Sequence, residues 1–261
     1  MNEKYLVGLS LKIKRLDEKS QLLFLLNNEE GLVRLIVPSS DELYYPTGSI
    51  LPFCLLRVYI NGNTGLRKVR QINILRNFSA IVKNLDTLSA AQGLVELSIH
   101  LLSEPIMGME EELLLQLTRL EVIANQINNP IEALAIAVQS SIHQLMIAGC
   151  SIPIQSCALT GKPLTPPLDN SDSEWYCSFV IQEGFILRKS FKASIELNAS
   201  EFALLQKLQK PNIPRSSNGE LIGSQTTWLR LLDIVCLWVE AYLPCKIFSF
   251  SILRDSLELL S

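Results

Sequence analysis

Few residues of this chain have both the type and the spacing for chemistry. The clearest are in Cys157-Ala158-Leu159-Thr160-Gly161-Lys162-Pro163-Leu164. A turn of the form CxxCGxPL puts two thiolates on one tight loop, with glycine letting the backbone fold back under a metal. Here the second thiolate position is Thr160, whose hydroxyl does not hold Zn²⁺ in a structural site. The other half of such a site would be a second CxxC after a glycine turn. The corresponding stretch is Gly184 to Ser190, with Leu187 and Ser190 at the ligand spacing. Three of the four positions therefore carry no ligand. A rearranged set of His143, Cys150, Cys157 and Cys177 contains no pair at ligand spacing, and these thiols read as buried side chains. No metal or other cofactor is expected.

Catalytic constellations are equally thin. The two histidines, His100 and His143, fall on predicted helices, where a lone imidazole is usually a packing or surface residue. No GxSxG or HExxH motif occurs. Thr160-Gly161-Lys162-Pro163 lacks the earlier glycine of a phosphate loop, where Ser156 stands, and has Pro163 in place of the hydroxyl residue. The acidic run Glu110-Glu111-Glu112 is most simply a solvated helix start that suits the positive end of the helix dipole. A non-enzymatic protein is the expectation.

Charge is more informative. The whole chain has a formal net charge of −3, but residues 1–78 hold eleven Lys/Arg against seven Asp/Glu, and the remainder twelve against nineteen. The first block is net +4 and the second −7. A polyanion would therefore meet the first block. Its candidate phosphate contacts are Lys12, Lys14, Arg15, Arg34, Arg67, Lys68 and Arg70, with Lys4, Lys19, Arg57 and Arg76 as further cations. Tyr5, Tyr44, Tyr45 and Tyr59 are of a type that stacks on bases, although packing is their simpler role.

These residues must be carried by elements, and the first 78 residues read as strands. Tyr5 to Lys14 alternates, with Leu9, Leu11 and Ile13 on one side and Ser10, Lys12 and Lys14 on the other. Strands at 21–26, 32–37, 52–60 and 66–75 follow, the last two joined through Asn61-Gly62-Asn63-Thr64-Gly65, a hairpin signal. Five short strands in so short a block suggest a barrel of OB type, since closure removes exposed edges. From Ser79 the period becomes helical: 79–100, with Val82, Leu85 and Leu88 on its stripe and Gly93 costing ~1 kcal/mol relative to alanine; then 110–126; then 131–148, with Met146 among its buried positions. Residues 150–194 are irregular, with a strand or hairpin over 178–185. Helices resume at Asn198, capped by its own side chain with Glu201 at the third position and Leu197 stapled on Phe202. A long helix capped by Thr226 or Thr227 runs to Pro244, and a last one spans 248–260. The fold expectation is α+β and multidomain: a five-stranded OB-type barrel over 1–78, then an all-α domain over 79–261 with an irregular, degenerate zinc-knuckle-like insert at 150–194. Nothing resembles a signal peptide or a membrane span, and the six cysteines read as reduced thiols of a cytoplasmic protein.

The order of these parts resembles the bacterial RecO family of recombination mediators, in a form similar to its cyanobacterial members. The resemblance is carried by Gly8-Leu9-Ser10-Leu11-Lys12, Leu22 to Leu25 and Glu30 to Arg34; by Ala90 to Leu97; by Gln139 to Gly149 followed by Cys157 to Leu164 and Glu183-Gly184-Phe185; and by Leu197 to Glu201 and Trp228 to Phe250. It implies an OB domain and a helical domain, and binding of single- and double-stranded DNA with annealing of complementary strands. It also implies work with RecR, contact with the C-terminal tail of single-strand-binding protein, RecF as a further partner, loading of RecA at gaps, and a nucleoid-associated location. Two departures stand out. The zinc ligands are missing, and the family's basic segment after the third strand is here Pro38-Ser39-Ser40-Asp41-Glu42, which moves DNA contact toward Lys12, Lys14, Arg34, Arg67, Lys68 and Arg70. The competing expectation is a non-catalytic adaptor, with a structural barrel and an acidic helical domain that binds a protein partner.

Overall fold

The computed structural model describes residues 4–38, 51–62, 65–126, 130–167, 175–188 and 190–259. The acidic segment 39–42, Tyr44, Tyr45 and the Asn63-Thr64 tip lie outside them. Strands β1 (Tyr5–Arg15), β2 (Ser20–Asn27), β3 (Gly31–Pro38), β4 (Cys54–Asn61) and β5 (Arg67–Asn77) close into a barrel in the order β1-β2-β3-β5-β4. All ladders are antiparallel except β3 with β5. Its interior is filled by residues including Leu23, Leu25, Val33, Leu35, Leu56, Val58 and Val69.

The clean alternation expected of the first strand does not survive. A bulge between Ser10 and Lys12 shifts the register. Ser10 therefore points inward, fully buried, and its hydroxyl donates to the Leu51 carbonyl. Leu9 and Leu11 leave the barrel core and pack with the helices, while Ile13 stays against the barrel interior. One extra residue flips side chains between faces.

A 3-10 turn (Ser79–Lys83) leads into helices α1 (Leu85–Leu101), α2 (Met109–Ala124) and α3 (Pro130–Ile147). The single helix expected from Ser79 is broken at Asn84, which is extended, and Val82 and Leu85 are exposed rather than part of a buried stripe. Met146 is also exposed at 38%. The insert is more ordered than its composition suggests: β6 (Tyr176–Val180), β7 (Gly184–Leu187) and β8 (Ile195–Asn198) form a three-stranded antiparallel sheet in the order β7-β6-β8. The expected hairpin is β6–β7.

Helix α4 (Ala199–Lys207) starts on the expected capping box, with Asn198 accepting from the Glu201 N–H and the Glu201 carboxylate accepting from the Asn198 N–H. Helix α5 (Gln225–Tyr242) is capped by Ser224, two or three residues earlier than expected, through a bond accepted from the Thr227 N–H. Helix α6 (Phe248–Glu258) closes against α1.

Barrel and helices share one core. Leu9, Leu11, Phe24, Leu26, Phe53 and Phe78 belong to the same buried cluster as the α1–α3 interior. The contact is fixed at its rim by Asn28 donating to Glu111, by the Arg76–Glu121 pair at 2.9 Å, and by Gly31, whose positive φ and lack of a Cβ let the β2–β3 turn approach Pro105.

Candidate nucleic-acid interface

Strand register decides which cations meet. On the outer barrel surface Lys12 pairs across β1–β2 with Phe24, and Phe24 across β2–β3 with Arg34. One rung further, Lys14 pairs with Leu22, Leu22 with Ile36, and Ile36 with Lys68 of β5. Four cations from three strands thus ring an apolar strip of Phe24, Leu22 and Ile36. The Lys14 Nζ lies 5.8 Å and the Arg34 Cζ 5.7 Å from the centroid of the Phe24 ring, within cation–π range. Phe24 itself is 8% exposed, because its other side is part of the contact with the helices.

The remaining expected contacts separate. Arg70 is exposed on β5. Arg15 is exposed at the end of β1, its Nε donating to the Asp17 carbonyl at 3.2 Å. Arg67 is different: it is 5% exposed and grips the Glu30 carboxylate with both terminal nitrogens, at 3.0 and 2.5 Å. Arg67 holds the Glu30 carboxyl below its usual range against the opposing effect of burial. Its guanidinium is committed to closing the barrel end. Sequence reasoning missed Phe24 as the centre of the cationic ring. The signal was its two-residue spacing from Leu22 on the outward side of a strand whose other face carries the core residues Leu23 and Leu25.

The other sites raised by the sequence resolve as structure. The Cys157 turn keeps the form of a metal knuckle: the Cys157 N–H donates to the Lys162 carbonyl, the Gly161 N–H to the Cys157 carbonyl, and Gly161 has φ +67°. The Leu187 N–H from the second glycine turn donates to the Cys157 sulfur at 3.4 Å. Burial opposes ionisation of this thiol, but the Thr160 hydroxyl and the backbone amides around it outweigh burial and lower it to about 7. Residues Thr160, Leu187 and Ser190 offer no thiolate, so the four knuckle positions do not fit a zinc ion. No group of three His, Cys, Asp or Glu side chains among the described residues is placed to hold a metal. Aromatic packing occupies the neighbourhood: Phe185 lies 5.2 Å from Phe179 and 5.0 Å from Phe202, and Trp175 packs at a tilt on Phe202 at 5.6 Å.

Glu110-Glu111-Glu112 is not the solvated run expected. Glu110 is 8% exposed, and burial, with the Glu111 charge adding to it, pushes its carboxyl up to about 7 against a backbone hydrogen bond from Asn28. Glu112 reaches His143 at 3.2 Å, and the other imidazole nitrogen lies 2.9 Å from the Leu208 carbonyl. Glu112 thus joins α2 to α3 and Glu110 is buried at the barrel contact, while Glu111 stays exposed. Elsewhere, Arg230 pairs with Glu201 and Lys192 with Glu183. A groove of about 640 Å³ lies between α2, α3 and the 212–219 loop, with Val122, Ile123, Ile136 and Ile213 on its walls. Arg119 and Arg215 stand at its edge, the latter bound to Glu132.

Among the described residues no helix is long and apolar enough to cross a membrane. No protein-family profile matches the chain. Individual proteins do. A DNA repair protein RecO of Prochlorococcus marinus (strain MIT 9303) is 40% identical over 258 residues, covering 98% of this chain and 96% of that protein. One from Synechococcus sp. (strain WH7803) is 39% identical over 259 residues, covering 98% and 95%. A more distant RecO, from Trichodesmium erythraeum, is 24% identical over 277 residues, covering 97% and 94%. With a closed five-stranded barrel, a helical domain and this similarity over nearly the full length, the chain belongs to the RecO family of DNA repair proteins.

Proposed function

We propose that this protein is a recombination mediator that binds single-stranded DNA on its barrel, anneals complementary strands, and, with RecR and the tail of single-strand-binding protein as partners, helps RecA load at gaps. The observation that carries the proposal is the ring of Lys12, Lys14, Arg34 and Lys68 on adjacent strands around Phe24. Phosphate contact requires positive charge along a surface that a backbone can follow, and these strands supply it without a deep pocket. Two phosphate backbones neutralised on the same face repel one another less, which favours pairing of their bases. No bond is made or broken in this scheme. Binding of a labelled single-stranded oligonucleotide across a salt series tests it. Affinity is expected to fall steeply between about 50 and 200 mM salt, and the triple change Lys12→Glu, Lys14→Glu, Arg34→Glu is expected to remove most of it and flatten the salt slope. Affinity that is indifferent to both salt and charge reversal refutes the mediator reading and favours an adaptor.

A further inference from the structure

A second outward patch of the barrel has no part in the cationic ring. Tyr5 of β1 pairs across to Tyr59 of β4, and Tyr59 to Gln71 of β5; on the next outward rung Val7 pairs with Arg57, and Arg57 with Asn73. The two tyrosine rings are 5.9 Å apart at 52°. The Arg57 guanidinium lies 5.3 Å from the Tyr5 centroid. The Gln71 side-chain amide donates to the Asn73 side-chain carbonyl at 3.0 Å. Aromatic cross-strand pairs also stabilise sheets without any ligand. Two observations exceed that role. Tyr5 leaves 52% of its surface open. The Arg57 Nε is buried with no hydrogen-bond partner among the described residues, an arrangement that costs stability unless something else satisfies it.

We infer that Tyr5, Tyr59 and Arg57, flanked by Gln71 and Asn73, form a stacking platform for unpaired nucleobases of a single DNA strand. The inference rests on the proposal that the barrel binds single-stranded DNA. The ligand chemistry follows from the residues. Every base has a π-face that stacks on an aromatic ring whatever its sequence, and two side-chain amides can bond to base edges. The patch is continuous with the cationic face through β5. That strand lies between β3 and β4, meets Ile36 at Lys68 and Tyr59 at Gln71, and carries exposed Arg70 between them. The three steps from Lys68 to Gln71 span roughly 10 Å along a strand. A chain whose phosphates lie on the cations can therefore lay its next bases on the tyrosines. A base-paired duplex hides its π-faces, so the platform distinguishes single strands where the cations alone do not.

The test compares, on the full-length protein, a labelled single-stranded oligothymidylate with an abasic oligomer of the same length and phosphate count. Wild type is expected to prefer the oligothymidylate, and Tyr5→Leu with Tyr59→Leu to weaken its binding on the order of ten- to a hundredfold while binding the abasic strand as wild type does. Tyr5→Phe with Tyr59→Phe keeps the rings and is expected to restore the preference. Equal binding of the two oligomers by wild type, or an unchanged preference in the leucine variant, overturns the platform while leaving phosphate contact standing and the tyrosine pair open to a protein partner. Loss of binding to both oligomers in the leucine variant assigns the pair to folding and also overturns it. Failure of wild type to bind either strand defeats the underlying proposal itself.

Discussion

His143 shows how little of a residue's role its type and helix position reveal. Both groups facing its ring, the Glu112 carboxylate and the Leu208 carbonyl, are acceptors, so only the protonated imidazole satisfies both. Burial alone would lower its pKa. The Glu112 bond and charge and the backbone carbonyls outweigh burial and raise it above 6.5. Burial would likewise raise the Glu112 carboxyl, but His143 and Gln116 hold it below 4.5. A raised imidazole stabilises the fold below pH 6.5, and that contribution is lost as pH rises through its folded value. A depressed carboxyl stabilises above pH 4.5, and that contribution is lost in acid. Stability is therefore expected to decline above pH 6.5. Glu110, an acid raised to about 7, adds a decline of the same sign, and the Cys157 thiol, lowered to about 7, adds a rise between pH 7 and 9, so the measurement belongs in a Glu110→Gln, Cys157→Ala background. There, thermal melts from pH 6 to 9 are expected to show a decline that His143→Gln abolishes, at a cost of about 1.5–3 kcal/mol at pH 6. A parent curve parallel to the variant's would show that folding leaves the ring's affinity for protons unchanged.

At the scale of elements, two departures from local propensity have tertiary causes. Gly93 lies in the middle of α1, where alanine would favour the helix by ~1 kcal/mol. A Cβ there would stand 2.2 Å from two atoms of the Phe250 ring of α6. Gly93→Ala is therefore expected to destabilise by about 1–3 kcal/mol despite its better propensity, read as a lower denaturant midpoint, with Phe250→Leu recovering part of the loss. A stabilised alanine variant would mean α6 yields easily. The second case is the paired glycine turns at Cys157 and Leu187, which still face each other through the Leu187 N–H bond to the Cys157 sulfur. If the scaffold is intact, Thr160→Cys, Leu187→Cys and Ser190→Cys together are expected to give a protein that retains one equivalent of zinc through purification, as metal analysis would show. A metal-free triple variant would mean the loops have drifted beyond ligand reach.

At the scale of the molecule, the charge asymmetry read along the chain maps onto the two parts of the fold, a basic barrel and an acidic helical body. They are not energetically separate, because Phe24, Phe53 and Phe78 of the first 78 residues are buried in the helical core. One calorimetric unfolding transition is therefore expected, and Phe78→Ala, at about 3–5 kcal/mol, should lower the whole of it. Two transitions, only one of them shifted, would show a barrel that folds alone.

The strands, the later helices and the missing zinc ligands were legible because they depend on local pattern: alternation, capping residues such as Asn198 and Glu201, and side chains that either bind metal or do not. The apolar segments 21–26 and 32–37, parted by a polar turn ending in Gly31, located β2 and β3 to within a residue at each end. Partnership was not legible. Arg67 and Lys68 are neighbours in sequence with identical charge, yet one closes the barrel on Glu30 and the other lies on its outer face. The bulge after Ser10 put Ile13 on the opposite face from Leu9 and Leu11, and Glu112 and His143 met across 31 residues. Sequence by itself determined which residues could carry charge, cap a helix or bind a metal. Only the tertiary structure decided which cations share a face with Phe24, because strand order and register bring distant residues into contact and no local pattern encodes either.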